Sequence, residues 1–373
     1  MSFHPQIPGT LKTIIPAAVA TVAAVLTASA QEGHFLPGHL AVLRAGDGAF
    51  NLNLKQSPIF VDQFDADEPS SAPSFSVQIP TNGPNSFFFN GHAGSEGNLT
   101  RSANSKLLAF AGYGGVDLLQ VSGTASRLDI RRGFGTLDNS GKVRTILYKA
   151  EPTDGKANAR GAATDGTNGF WGCGNANGTF YYDPKEGRDP VRFAAFPNSR
   201  AVRLIKNALY VTMNSADAYS MDKPAGIYSF ASSPLPRDAK AGVELVIAAD
   251  PHYKKVAGFD LSPKGDVAYM SDTEAGIQKY TRTSGKWAFA YNISIPQNIP
   301  ASVNTSAGCF GLVVDFSKSP PVIFATTTEG YGGSVNSNRV VRIVDTGANA
   351  AVKTLVQAGS TNIAYRGIDF TPD

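Results

Sequence analysis

The chain has 373 residues, 42% of them hydrophobic and only 17% charged, with 38 Gly, 23 Pro, 22 Phe and 13 Tyr. So low a charge density, combined with so many turn formers and aromatic residues, excludes coiled coils, helical bundles and disordered chains and suits many short strands joined by tight turns. A formal charge of +3 is too small for a general nucleic-acid surface, so no nucleic-acid partner is expected.

At the N-terminus Lys12 precedes an apolar run, IIPAAVATVAAVLTA from Ile14 to Ala28, which closes on Ala28-Ser29-Ala30 before Gln31. The run is shorter than the roughly 20 residues of a membrane span, and its small closing residues suit a signal peptidase. Residues 1–30 are therefore predicted to be a cleaved secretory signal and residues 31–373 one mature domain, periplasmic or extracellular, with no membrane span left. An uncleaved N-terminal anchor is the alternative.

Further along, a pattern recurs: a short apolar strand, often opened by Arg or Gly, then a polar turn, then a more hydrophobic strand. It begins at residues 100–102 (leading to LLAFAG from Leu107), Arg160 (leading to GFWGCG), Arg200 (leading to ALYVT), Gly258 (leading to DVAYMSD), Phe310 (leading to PVIFATT) and Arg366. The sixth copy runs into the C-terminus with no second strand. The missing strand is HLAVLR, His39 to Arg44, which has no first strand before it. Pairing Tyr365 to Phe370 with it closes a ring. Units of about 40 to 70 residues with four strands each predict an all-β, six-bladed β-propeller; a seventh blade fits only before Arg101 or before Arg160. In the fifth unit the predicted strands are Val256 to Leu261, Asp266 to Ser271, Gly276 to Thr281 and Lys286 to Ile293. The stretch from Pro69 to Glu96 reads as an irregular insertion riding on one face.

Cys173 and Cys309 lie in apolar, Gly-rich surroundings without metal-ligand spacing, and read as small buried residues, although a disulfide is allowed in an exported protein. Asn98, Asn177, Asn292 and Asn304 stand in glycosylation sequons, meaningful only in a eukaryotic secretory pathway.

The stretches SEGNLTRSANSKLLAFAGYGG (Ser95 to Gly115), SRAVRLIKNALYVT (Ser199 to Thr212), GIQKYTRTSGKW (Gly276 to Trp287), RVVRIVDTGA (Arg339 to Ala348) and AYRGIDFTP (Ala364 to Pro372), with the opening LAVLRAGDGAF, resemble a group of secreted bacterial proteins, many of which carry a C-terminal PEP-CTERM sorting tag. The resemblance implies a propeller-like fold and export, with no assigned activity. The chain ends at Asp373 without such a tag, so simple secretion is the expectation.

Four of the recurring anchors carry arginine: Arg101, Arg160, Arg200 and Arg366. In a propeller the first strand of each blade lines the axis, so four guanidiniums at one height are expected to hold carboxylate or sulfate groups; the competing role is blade-to-blade bonding. A second set is acidic and amide-rich: Glu96, Asp272, Glu274 and Glu329 with Asn175 and Asn214, at strand ends where propeller hydrolases hold a hard cation such as Ca²⁺ or place an acid and a base. His92 has Glu96 four residues on and is the histidine suited to a general base. Aromatic residues (Phe87 to Phe89, Tyr113, Trp171, Tyr181, Tyr182, Tyr219, Trp287, Tyr331) can stack on sugars, or simply pack blade on blade. No nucleophile elbow, zinc-protease motif or phosphate loop is present. The reading is a secreted, monomeric propeller binding an acidic glycan or small carboxylate. The alternatives are a hydrolase or lyase acting on a lactone or uronate, with His92, Glu96, Asp272 and Glu329 as candidate catalytic groups, and a structural surface protein.

Overall fold

A computed structural model describes residues 1–2, 33–49, 52, 56–91, 93–117, 130–149, 158–175, 178–193, 198–214, 223–230, 234–297, 308–329, 338–359 and 362–373. The predicted signal lies almost wholly outside them. Gly33–Asp373 is one compact unit, built from six antiparallel sheets with no helix among the described residues.

From the axis outward, blade I consists of Ala364–Phe370, Leu40–Ala45, Ile59–Phe64 and Phe75–Gln78. Blade II consists of Thr100–Arg101, Leu107–Gly114, Arg131–Asp138 and Val143–Tyr148. Blade III has Ala159–Thr164, Phe170–Gly174, Thr179–Tyr182 and Val191–Arg192; blade IV has Val202–Ile205, Ala208–Met213, Gly226–Phe230 and Val243–Ala248. Blade V has Val256–Leu261, Val267–Asp272, Gly276–Thr283 and Lys286–Ile293; blade VI has Cys309–Asp315, Val322–Thr327, Arg339–Val344 and Val352–Gln357. The chain is thus a six-bladed β-propeller, and the expected closure is present: Leu40 pairs with Phe370, Val42 with Ile368 and Arg44 with Tyr365.

The stretch from Pro69 to Glu96 is more regular than its Ser- and Pro-rich composition suggests. Phe75–Gln78 is the outermost strand of blade I, and Phe87–Asn90 joins the sheet of blade II together with Gln56–Ser57. The first of the two longest units therefore holds extra strands of blade II rather than a seventh blade.

Alternation along each strand drives the ring together. In Leu40–Ala45, Leu40 and Val42 pack with Val313 and Phe324 of blade VI, whereas Ala41, Leu43 and Ala45 pack with Phe110 of blade II. Buried apolar clusters fill all six junctions between neighbouring blades. At about 25 cal/mol per Å² of apolar surface, these layers are the main favourable term in folding.

Near the axis, backbone replaces side chains. In blades I, III, V and VI the innermost strand bulges, with a register shift around Gly367, Gly161, Gly258 and Gly311. A Cβ on Gly311 would stand 2.5 Å from the carbonyl oxygen of Arg366, and one on Gly367 would stand 2.3 Å from the Leu99 nitrogen. Glycine is required because neighbouring innermost strands touch main chain to main chain. In blades IV, V and VI a hydroxyl from the second strand then ties the innermost strand to the next blade. Ser271 Oγ accepts from Gly258 N at 2.8 Å and donates to Phe310 O at 2.7 Å. Thr212 Oγ1 accepts from Ala201 N and donates to Ala257 O at 2.6 Å; Thr326 does the same between Gly311 N and Arg366 O. In blade III the Sγ of Cys173 occupies this place, receiving the Gly161 N–H. The axis is consequently shut along its middle, where the remaining enclosed space is about 10 Å³. Only its two ends can receive a ligand.

Candidate functional site

The proximal end, where the innermost strands begin, holds Arg160 and Arg366. Arg160 donates to Asn198 Oδ1 at 2.5 Å, Ser199 O at 3.0 Å and Ser95 Oγ at 3.2 Å. Arg366 is 1% exposed and donates to the carbonyls of Gly91 and Ala93 at 2.9 and 3.1 Å. Its guanidinium holds the turn between Phe87–Asn90 and Thr100–Arg101. Arg200, at the same level, is half-buried; its carbonyl accepts from Asn98 Nδ2 at 2.8 Å.

The predicted acidic residues gather at this end too, and all but Glu274 are internal. Glu96 is fully buried, accepting from the Tyr113 hydroxyl at 2.6 Å and from Asn90 N at 3.0 Å. Burial pushes its carboxyl up to about 7, against the opposing pull of Tyr113, Arg366, Asn90 N and Arg160. Glu329, also fully buried, pairs with Arg339 and accepts from Thr327 Oγ1. Asp272 caps a turn, its carboxylate taking the N–H groups of Lys255, Glu274 and Ala275, and burial raises it above the usual carboxylate range. Glu274 is exposed and 3.7 Å from Lys255. Asn175 accepts from Asn158 N, and Asn214 is buried. His92, Tyr219 and Tyr331 lie outside the described residues, as do Asn177 and Asn304. Among the described residues no three His, Cys, Asp or Glu side chains come together as a metal-ligand group.

Other candidates are structural in their surroundings. Phe87, Phe88, Phe89 and Tyr113 fill the junctions of blade II. Trp171 is buried and donates to Pro236 O at 2.7 Å. Tyr181 and Tyr182 pack in the junctions on either side of blade III, while Trp287 is half-buried on the outermost strand of blade V. Cys173 and Cys309 are buried free thiols in blades III and VI. The Asn98 and Asn292 side-chain amides donate to Arg200 O and Ala275 O.

Arg101 stands at the other, distal end, where the innermost strands finish. The backbone explains why: the segment 97–101 runs beside Arg366–Asp369, with Gly97 against the Arg366 side chain and Arg101 N donating to Asp369 Oδ2 at 2.9 Å. Arg101 is therefore one strand length away from Arg160 and Arg366, and the four arginines do not form one ring.

What sequence reading missed is the distal ring itself. Two residues beyond the bulge glycine stand Asp369 in blade I, Ala163 in blade III, Asp260 in blade V and Val313 in blade VI, and the second paired residue of the innermost strand is Arg101 in blade II and Arg203 in blade IV. Opposite blades carry opposite charges: Asp369 faces Arg203, and Arg101 faces Asp260. Arg203 reaches across the axis, donating to Asp369 Oδ2 at 2.6 Å and to Leu312 O at 3.0 Å, which seals the axis from this side. Above this floor opens a cup of about 360 Å³ whose walls combine apolar side chains, Leu261, Pro263, Val313, Phe316 and Phe370, with polar ones, Ser102, Ser105, Asp315 and Ser317. Its rim carries Arg101, whose side chain is 32% exposed and makes only long contacts, 3.5 Å to Asp373 Oδ1 and 3.4 Å to Thr371 O. Lys206 joins it from a two-residue turn in which Lys206 and Asn207 both take left-handed φ angles, 49° and 60°, as tight hairpins demand. Aligning the recurring anchors, Arg200 on Arg366, would have placed Arg203 and Asp369 in one column, three blades apart.

No family model matches the chain, and no curated protein matches it in sequence. Among solved structures, the chain is similar to a component of a nidogen/laminin complex, with a TM-score of 0.51 and 8% identity over 89% of this chain and 98% of that one. It is also similar to TolB from Acinetobacter baumannii, with a TM-score of 0.47 and 10% identity over 91% of this chain and 68% of that one. At such identities the first of these likenesses bears on the fold alone, and the second carries no argument.

Proposed function

We propose that the protein is a secreted binding propeller that holds a small anionic ligand, a carboxylate or the acid group of a glycan, in the distal cup, with Arg101 as the contact residue. The observation that carries this reading is the Arg101 guanidinium, partly exposed at the rim of an open cup whose floor is sealed and whose walls mix apolar and polar side chains. Such a cup, a few hundred Å³ in volume and lined about equally by apolar and by polar or charged side chains, is large enough for a small polar molecule. A guanidinium not already committed to short bonds can offer a carboxylate two parallel N–H donors. Arg160 and Arg366, held by carbonyl and amide oxygens, take structural roles in this reading.

The hydrolase or lyase alternative relies on Glu96, Asp272 and Glu329 reaching substrate. Glu96, Asp272 and Glu329 are buried and already hydrogen-bonded, which favours binding over turnover.

Calorimetric titration and a glycan array test the proposal. A preference for uronates or small carboxylates over neutral sugars is expected, weakened about ten- to a hundredfold in Arg101→Ala, the range of one charge-assisted hydrogen bond. A preference for neutral sugars, or undiminished binding in Arg101→Ala, overturns it.

A further inference from the structure

The floor of the distal cup has one more negative charge than positive. Asp369 and Asp260 share it with one guanidinium, and the carboxylate that Arg203 hydrogen-bonds is Asp369. Asp260, only 9% exposed, is held by main chain: Val314 N donates to Oδ2 at 3.0 Å and Leu261 N to Oδ1 at 2.9 Å. Each oxygen keeps a lone pair after these bonds. Burial, with the Asp369 charge added to it, raises this carboxyl above its ordinary value despite the pull of Arg203. A buried carboxylate is normally matched by a cation that hydrogen-bonds it; among the described residues no side chain does so for Asp260.

The position of Asp260 says what can. It lines the cup on blade V, as Arg101 does on the opposite blade II, with the Arg203–Asp369 pair in the floor and Leu261, Pro263 and Phe316 among the walls. Resting on the anion-binding reading above, we propose that the ligand is a small zwitterion, an α-amino acid or a molecule with that charge pattern, whose carboxylate meets Arg101 and whose ammonium meets Asp260. An apolar side chain would then lie against Leu261, Pro263 and Phe316. A divalent metal ion fits less well: calcium asks for six to eight oxygen ligands, and two guanidiniums stand close by.

The test uses the folded mature chain and two probe pairs that differ only by the amino group: leucine with 4-methylpentanoate, and glutamate with glutarate, each titrated calorimetrically at pH 7. The expected result is at least tenfold tighter binding of the amino acid in one pair, with Asp260→Asn reducing that ratio to near one while the plain carboxylate still binds. Equal binding within both pairs, or a ratio unchanged in Asp260→Asn, overturns the zwitterion and leaves the anion site standing. No binding of any probe overturns both. Saturable calcium uptake lost in Asp260→Asn reassigns the carboxylate to a metal and also overturns the proposal. If Asp260→Asn shows no cooperative melt, the two wild-type ratios alone decide.

Discussion

The two ends of the axis carry similar residue types and put them to opposite uses. At the proximal end Arg160 and Arg366 are enclosed by carbonyl and amide oxygens, and the acids beside them are buried. At the distal end Arg203 and Asp369 neutralise each other across the axis, leaving Arg101 and Asp260 on opposite sides of an open cup. An arginine therefore says little about binding until its partners are known. One surrounded by main-chain carbonyls is a strut, and one with long, solvent-shared contacts is available to a ligand.

The harshest way to break this comparison is to remove the strand that serves both ends. Deleting the last nine residues takes away Arg366 from the proximal end and Asp369 from the distal floor. It also removes Ile368 and Phe370, each worth roughly 1.5 to 3 kcal/mol on burial, and exposes the edge of Leu40–Ala45. Against a stability of about 5 to 15 kcal/mol, the expected outcome is loss of the cooperative thermal transition in calorimetry, with aggregation.

Arg366→Ala separates the two uses of arginine. It strips the Gly91 and Ala93 carbonyls of their donor and removes a buried charge beside Glu96, so a loss of about 3 kcal/mol is expected in urea unfolding, with ligand affinity at the distal cup unchanged in calorimetry. Equal stability to wild type would mean that the proximal guanidinium is not a strut.

The buried acid at the proximal end predicts a pH dependence. Folded Glu96 keeps its proton up to about pH 7, whereas an unfolded glutamate releases it near 4.5. The folded state thus binds more protons between those values, and stability falls as pH rises through that window, by roughly 3 kcal/mol at most. Urea midpoints measured from pH 4.5 to 8 should show this fall, and Glu96→Gln should flatten it.

The smallest expected effect is that of Arg101→Ala on stability. With only contacts of 3.4 Å and longer to lose, the change should stay within about 0.5 kcal/mol, so a drop in its affinity for carboxylates reports the site rather than the fold.

Much of the architecture was legible because a propeller repeats its physics. Val256–Leu261 and Lys286–Ile293 match their predicted limits, and Tyr365 to Phe370 does pair beside the strand containing Leu40 to Arg44. Short apolar strands ending in polar turns announce themselves by alternation, and an unpaired strand at each end of a repeat array can be satisfied only by closure. The strands Phe75–Gln78 and Phe87–Asn90 were less visible, since Ser and Pro around them weaken the local signal while their pairing with blades I and II stabilises them.

The amino-acid sequence alone determined the propeller repeat, the closure and the presence of arginine at recurrent positions, since these follow from local alternation and repetition, while the choice of six blades over seven waited for the pairing of Phe87–Asn90 and Gln56–Ser57 with blade II. Which arginine faces solvent was decided only by tertiary structure. The segment from Gly97 to Arg101 enters blade II as two paired residues rather than a full strand, which carries Arg101 past the level of Arg160 and Arg366 to the far end of the axis. Likewise Arg203 and Asp369, 166 residues apart, meet only because a sixfold ring sets blade IV opposite blade I. Charge pairing across an axis is a property of the closed ring, and no local window of sequence contains it.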